Sequence, residues 1–291
     1  MAIMSDNKYI IGVDIGGTKI NAVLFKDGKV LKNIKIKTPQ KSQKEFLNKL
    51  EILINEIIIK PAGKKELSGI GCGVAGVLDL KKGIILNAPN IKILNNFNIK
   101  NWLCKKFNCE IKIDNDARSF TRAEYLFGAG RGYKNIVGIT LGTGIGGGII
   151  MNGEIVYGSN GLAGEVGHMT LNLKEDFENL SGVKGLRRLG YASSLKAYQL
   201  AESGDKKAKR AFEEFSGHLG IGLANIINIL DPEAIIIGGG LSGAYKFFLP
   251  ATKKIMTKFI FSPGSRKNIK IFIEKLNGNA GAIGAAALFI K

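Results

Sequence analysis

The sequence predicts an α/β fold built from two related lobes. Three observations carry this: a β-meander that occurs twice, strands that alternate with amphipathic helices around the two copies, and a length of 291 residues. A chain of that size exceeds what one hydrophobic core usually supports.

Residues 9–14 read as a strand ending on Asp14, followed by a glycine turn at Gly16-Gly17 and a second strand over residues 22–25. Asp27-Gly28 supplies the positive φ angles of a tight hairpin, and residues 29–37 alternate as a third strand. The same grammar returns where Val137-Gly-Ile-Thr-Leu-Gly-Thr-Gly144 aligns without a gap on Ile11-Gly-Val-Asp-Ile-Gly-Gly-Thr18. A strand over 148–151, the turn Asn152-Gly153 and a strand over 154–157 complete the second copy. Between the copies, residues 43–60 place Phe46, Leu47, Leu50, Leu53, Ile54, Ile57 and Ile58 at helical spacing, so one stripe faces a sheet. Residues 67–74 and 110–113 are short apolar strands, with a helix carrying Trp102 over 101–107. After the second copy, an amphipathic helix over 208–230 stops at Asp231-Pro232. The strand 234–237 then runs into Gly238-Gly-Gly240, and a small-residue helix over 280–290 closes the chain. The expected division is an N-terminal lobe over 1–115 and a larger C-terminal lobe over 116–277. Helix 278–291 should pack back on the first lobe, and a cleft should lie between the two.

A composition of 45% hydrophobic and 23% charged residues is that of an ordinary soluble globular protein. No apolar run approaches the roughly 18 residues of a membrane span, and the start lacks the basic and apolar stretches of a leader. A cytoplasmic protein without a membrane partner is expected. The formal charge of +18 is mostly dispersed lysine, as at Lys35, Lys37, Lys41 and Lys44, with no basic block and no interleaved aromatics. This argues against a nucleic-acid face, while still allowing the charge to steer an anionic substrate. Cys72, Cys104 and Cys109 are odd in number and lack CxxC spacing, so neither a disulfide framework nor a cysteine-rich zinc site is expected. Buried, reduced thiols fit better.

Each meander places glycines directly after a strand, where missing Cβ atoms let backbone N–H groups approach a phosphate. The hydroxyls of Thr18 and Thr143 stand at the matching turns. Asp14, at the end of its strand, suits Mg²⁺ held through water. Lys19 either contributes a cation to the nucleotide or stays a solvated surface lysine. Gly238-Gly239-Gly240 would let a flat adenosine lie on backbone. No GxxxxGK[ST] pattern occurs. Two GxGxxG strings, Gly71 to Gly76 and Gly142 to Gly147, raise a nicotinamide oxidoreductase as an alternative. A dinucleotide fingerprint must open a helix, whereas β-rich residues 148–151 follow the second string and unhelical Val77-Leu78-Asp79 follows the first.

Asp14-Ile-Gly-Gly-Thr-Lys19, Gly73-Val-Ala-Gly76, Asn115-Asp116-Ala117, Leu141-Gly-Thr-Gly-Ile-Gly-Gly147, Gly161-Leu-Ala-Gly-Glu-Val-Gly-His168 and Ile237-Gly-Gly-Gly240 follow one another in order. Together they resemble the ROK family of sugar kinases, repressors and related open reading frames over nearly the whole chain. The resemblance implies a duplicated actin-like (ribonuclease H-like) fold with a nucleotide- and sugar-binding cleft, ATP and Mg²⁺, a hexose phosphorylated usually at C6, and a homodimer. Carried over by position, Asp116 is the general base, and Asn90, Asn115, Glu165 and His168 join it as sugar ligands. Gly17, Thr18, Thr143, Gly144 and Gly239 are nucleotide contacts, alongside Asp14 and Lys19. An aspartate at position 116 would also make a good helix N-cap. His218, inside the long amphipathic helix, reads as packing or surface. The motif set leans toward an N-acetylmannosamine kinase, with glucokinase as the alternative. A ROK repressor would carry a DNA-binding segment ahead of the sugar domain, and a first strand beginning by Tyr9 leaves no room for one.

The family's histidine is usually followed by a zinc-binding cysteine cluster and then a glutamate. Residues 171–193 contain no cysteine, and Arg187 and Arg188 stand in the stretch matching the glutamate. Zinc is therefore not expected, because its affinity depends on deprotonated sulfur ligands. The loop should instead be held by Leu173, Phe177, Leu180 and Leu186, and the His168 ring needs some other partner to fix it.

Overall fold

The computed structural model describes residues 9–58 and 67–290. Expectations for the first eight residues, for helical residues 59 and 60 and for residue 291 lie outside the described residues.

Strands β1 (Tyr9–Ile15), β2 (Lys19–Lys26) and β3 (Lys29–Lys37) form the expected antiparallel meander. Asp27 (φ 49°) and Gly28 (φ 77°) make its hairpin turn. Helix α1 (Gln43–Ile57) starts where the Ser42 side chain accepts from Glu45 N, and it buries Phe46, Leu50, Leu53, Ile54 and Ile57. Strand β4 (Leu67–Val74) pairs parallel with β1. A small hairpin, β5 (Val77–Asp79) and β6 (Ile84–Asn87), and helix α2 (Ile99–Phe107) lead to β7 (Glu110–Asn115), which pairs parallel with β4. The sheet order is β3-β2-β1-β4-β7. Helix α3 (Asp116–Phe127) follows β7 without a loop. The exposed edge strand β3 carries four lysines, a common guard against edge-to-edge pairing.

Strands β8 (Ile136–Leu141), β9 (Ile145–Met151) and the short β10 (Glu154–Ile155) repeat the meander. The gapless sequence alignment places the end of β8 on the end of β1 and the start of β9 on the start of β2. Helices α4 (Phe177–Ser181), α5 (Val183–Arg188), α6 (Ser194–Glu202) and α7 (Lys206–Leu230) come next. Helix α7 ends on Asp231, left-handed at φ 43°, with Pro232 behind it. Strand β11 (Ala234–Gly238) pairs parallel with β8; α8 (Tyr245–Phe259) and α9 (Pro263–Asn268) lead to β12 (Lys270–Ile273), parallel to β11. The order β10-β9-β8-β11-β12 repeats the first sheet's connectivity strand for strand. Buried Phe212, Phe215 and Phe248 join α7 to α8, the rings of Phe215 and Phe248 lying edge to face at 5.4 Å.

Helix α10 (Ala280–Ala286) continues as a single 3₁₀ turn to Phe289, shorter than the expected helix. It packs on β1, β2, β4 and α3. A β-carbon on Gly12 or on Gly71 would lie 1.9 Å from the carbonyl oxygen of Ala282 or Ala285, so the helix backbone rests directly on two strands. Small residues on both faces make that approach possible.

The chain divides into two compact units. The first comprises Met1–Arg131, Tyr157–Ala163 and Asn279–Lys291, and the second Gly132–Val156 and Gly164–Gly278. This differs from the expected boundary after residue 115: α3 packs on α10 and β4 and so belongs to the first unit, and the second unit is not the larger. Of the cysteines, Cys72 is buried and its thiol is pushed up to about 12 by burial; Cys104, expected buried, is exposed.

Candidate active site

In the first unit the turn between β1 and β2 is held from behind. Thr38 Oγ1 donates to Gly16 O (2.6 Å), Thr38 N donates to Thr18 O (3.0 Å), and Gln40 Nε2 donates to both Gly17 O (2.8 Å) and Asn90 O (3.1 Å). A β-carbon on Gly17 would lie 2.6 Å from Asn90 Cβ. The glycine is therefore needed for this close approach, which sets a predicted sugar residue against the predicted nucleotide turn. Thr18 and Lys19 are exposed. Asp14 keeps part of its surface accessible, yet burial, followed by the Asp116 carboxylate, raises its pKa to about 7 against the opposing pull of Lys19 and Lys35. A carboxylate so strained toward its neutral form, within electrostatic reach of another, fits a hard divalent cation with oxygen ligands.

Strand β7 runs to Asn115, two residues further than the expected strand, and Asn115 caps α3. Its Oδ1 accepts from Ala117 N (2.9 Å) and Arg118 N (3.2 Å), while Nδ2 donates to Gly76 O (3.4 Å). This corrects the capping alternative for Asp116. Asn115 has the extended backbone (φ −69°, ψ 148°) that a cap requires, and Asp116 is the first helical residue at the positive end of α3. A predicted sugar ligand is thus largely committed to backbone, and the predicted base is relieved of capping.

Sequence reasoning missed the group behind the base. Asp114, fully buried, accepts from Arg118 Nε (2.7 Å) and pairs with Arg122 Nη2 (2.9 Å). The spacing of Asp114, Arg118 and Arg122 at successive i,i+4 positions was the available signal.

In the second unit, Gly142 N donates to Gly144 O (2.9 Å) and Val183 N donates to Gly142 O (3.2 Å), docking the start of α5 on the turn. Glu178 Oε2 accepts from Ile145 N (3.0 Å), and its Oε1 pairs with Lys184 Nζ (2.6 Å). A β-carbon on Gly144 would fall 2.0 Å from Glu178 Oε2. Sequence reasoning offers Glu178 no role; in the structure it braces this turn. Thr143 is exposed, Gly239 has φ 89°, and nothing lies within 4 Å of where a Gly240 side chain would begin. That open backbone suits a flat ring.

Glu165 precedes a 3₁₀ turn over Val166–His168, and the His168 side chain is 69% exposed with Nδ1 3.8 Å from Asp176 Oδ2. Asp176, whose Oδ1 caps α4, is an acidic neighbour of the ring, beyond hydrogen-bond reach. Phe177, Leu180 and Leu186 anchor the segment, but Leu173 is fully exposed. Its neighbour Asn172 closes a local turn, accepting from Lys174 N (2.8 Å) and Glu175 N (2.9 Å), and that turn points Leu173 outward. Among the described residues, no three His, Cys, Asp or Glu side chains gather as a metal-binding group. The string Gly142 to Gly147 opens β9, and Gly71 to Gly76 leads into β5, so neither opens a helix.

The family model described as the ROK family matches residues 10–291. The chain belongs to the ROK family. A glucokinase of Halalkalibacterium halodurans is 31% identical, over 98% of this chain and 96% of that protein. A xylose repressor of Caldicellulosiruptor bescii is 30% identical, over 100% of this chain and 80% of the repressor. Among solved structures, a ROK glucokinase from Streptomyces griseus in complex with glucose and AMPPNP superposes with a TM-score of 0.85 at 28% identity, covering 96% of this chain and 98% of that one. The ROK fold of this chain is accordingly the actin-like one, and its matching sheets are the two copies of the duplicated unit.

Proposed function

We propose that this ROK-family protein is an ATP-dependent hexose kinase in which Asp116 activates the C6 hydroxyl of the sugar. The observation that carries the reading is the division of labour at the start of α3: Asn115 caps the helix, and the adjoining carboxylate of Asp116 lies in the field of Asp14. Asp116 takes the hydroxyl proton as the sugar oxygen bonds to the γ-phosphorus. The bond to the β–γ bridging oxygen breaks, and its electron pair leaves with ADP.

Gly17, Thr18 and Lys19 serve the phosphates from one turn, and Thr143 and Gly144 from the other. Gly239 offers backbone to the adenosine. Asp14 is the residue that would hold Mg²⁺, which would supply neutralisation of phosphate charge. Asn90, Glu165 and His168 bind sugar hydroxyls, and Asn115 contributes through its amide nitrogen. Asp176, 3.8 Å from His168 Nδ1, supplies an acidic neighbour to that ring.

N-acetylmannosamine and glucose are the two acceptors to separate. The first follows from the overall motif set and the second from the glucokinases that the chain resembles. A coupled ADP-release assay over glucose, N-acetylglucosamine, N-acetylmannosamine, fructose and mannose tests the reading. Turnover is expected with at least one of them, dependent on Mg²⁺ and insensitive to a zinc-selective chelator. Asp116→Asn should lower kcat by roughly 10²–10⁴-fold while sugar binding persists. No turnover with any hexose would end the kinase reading, and near-normal turnover in the variant would remove Asp116 from the base role. Light scattering checks the expected homodimer. No described helix is long and apolar enough to cross a membrane.

A further inference from the structure

We propose that Arg118 is a positioning residue that latches the segment Tyr157–Ala163 onto α3 and so orders the chain leading into Glu165 and His168. The functional half of this inference rests on the kinase reading; the structural half rests on geometry alone.

The segment leaves the second unit after Val156, belongs to the first unit for seven residues and returns at Gly164. Most of it is exposed: Gly158, Ser159, Asn160 and Leu162 all face solvent. Exposed loops of this kind open easily unless something holds them. Here the hold is a buried arginine. Arg118 has a side chain only 3% exposed, and its Nη1 donates to Gly161 O (2.7 Å) while its Nε bonds Asp114 Oδ1 (2.7 Å). The guanidinium carbon also lies 5.2 Å from the centre of the Tyr157 ring. One planar fork thus reads the strand, the loop carbonyl and the loop aromatic together, which a lysine ammonium cannot do.

Tyr157 closes the group from the loop side. Its hydroxyl accepts from Arg122 Nη2 (2.9 Å) and donates to Asp114 Oδ2 (3.4 Å). Burial, and then the Asp114 carboxylate, push the phenol up, so it stays a protonated donor. Asp114 is itself fixed, since its Oδ1 accepts from Asn115 N (2.8 Å). The residue bearing the latch is two positions from Asp116 on one helix, and the latched carbonyl is four positions ahead of Glu165. Loosening the latch should therefore reach the sugar side of the reaction and leave the glycine turns, which Arg118 does not touch, unaltered.

Because removing one partner of a buried pair strands the other, three variants are compared: Arg118→Lys, Tyr157→Phe, and the double Asp114→Asn/Arg118→Gln, which removes the Asp114–Arg118 pair together and leaves Arg122 its bond to the Tyr157 hydroxyl. Hydrogen exchange of the intact protein, followed by mass spectrometry, reads the segment directly. In Arg118→Lys and in the double variant, amide exchange over residues 157–163 should rise about tenfold or more, with β1 and β4 unchanged. The sugar KM should rise about tenfold and the ATP KM should stay within about twofold. Tyr157→Phe should show the same pattern more weakly. Unchanged exchange over 157–163 overturns the latch, and does so whether or not the protein phosphorylates a hexose. Raised exchange with an unaltered sugar KM overturns the positioning role, as does exchange that rises equally over β1 and β4.

Discussion

The two glycine turns occupy matching places in the two meanders and differ in both closure and chemistry. Strands β1 and β2 pair Ile15 with Ile20, and Gly16 N donates to Lys19 O, whereas β8 and β9 pair Leu141 with Ile145, and Gly142 N donates to Gly144 O, one residue tighter. Aligned residue by residue, each strand ends and each return strand begins at the same place, yet position 14 is aspartate in the first copy and its counterpart, position 140, is threonine. The first turn has a carboxylate on its strand and neutral braces, Thr38 and Gln40. The second has no acid on its strand and is braced by a carboxylate from outside, Glu178, paired with Lys184. A duplicated unit has kept its strand order while closing its second turn one residue tighter and relocating its charge. The first turn is thus suited to a cation and the second to neutral donors, and the two should fail differently.

The sharpest break comes from filling each turn. Gly17→Val must push against Asn90, so kcat/KM should fall about a hundredfold or more, with both sugar and ATP KM raised. Gly144→Val meets the Glu178 carboxylate, so the ATP KM should rise roughly tenfold while sugar affinity holds. Steady-state kinetics with each substrate varied separates the two, and identical patterns would erase the distinction between the turns.

The next test uses pH. Asp14 has a folded pKa of about 7 against an ordinary value near 3.8, so the folded state binds this proton more tightly than the unfolded chain does. No penalty exists below pH 4. Stability is lost as pH rises from about 4 to 7, and the loss is complete above that window. At about 1.4 kcal/mol per unit, and discounted because the carboxylate is partly accessible, Asp14→Asn should stabilise the nucleotide-free protein by about 1–3 kcal/mol at pH 8 and hardly at pH 4. Mg²⁺ with a nucleotide should stabilise the wild type at pH 8 more than it stabilises the variant. Thermal melts across pH, with and without ligand, check both statements; a variant less stable than wild type at pH 8 would refute the first.

Smaller effects lie in the braces. Glu178→Gln keeps one acceptor for Ile145 N but loses the Lys184 pair, so the ATP KM should rise about threefold to tenfold with the sugar KM unmoved. Gln40→Ala removes two exposed hydrogen bonds that join Gly17 to Asn90, and both KM values should rise about twofold to fivefold. If Gln40→Ala moved only one of them, the proposed link between nucleotide turn and sugar residue would be absent.

Much of this arrangement is legible in the sequence because it is local. Hairpin turns at Asp27-Gly28 and Asn152-Gly153, the stripe from Phe46 to Ile57 and the repeated meander all follow from short-range rules, and each lies where those rules place it. What escapes depends on distance in sequence. Tyr157 and Gly161 meet Arg118 across some forty residues, and nothing in a helix bearing two arginines says that one of them is buried. The unit boundary escapes for the same reason, since α3 is held by α10 from the far end of the chain. Asn115 rather than Asp116 is the cap because β7 runs two residues longer, a margin at which strand ends are poorly marked. Leu173 fails as an anchor through a polar neighbour, Asn172, that favours a turn over packing.

The seating of α10 on Gly12 and Gly71 also dictates an order of events in the cell. The face of the first sheet that this helix covers is made early in translation, and the helix itself appears only after the whole second unit has been synthesised. Until then β1 and β4 lack the helix backbone that seats on Gly12 and Gly71, and α3 packs beside them on β4. The second unit, continuous apart from one short excursion, can complete its fold first, reversing the usual N-terminal-first sequence.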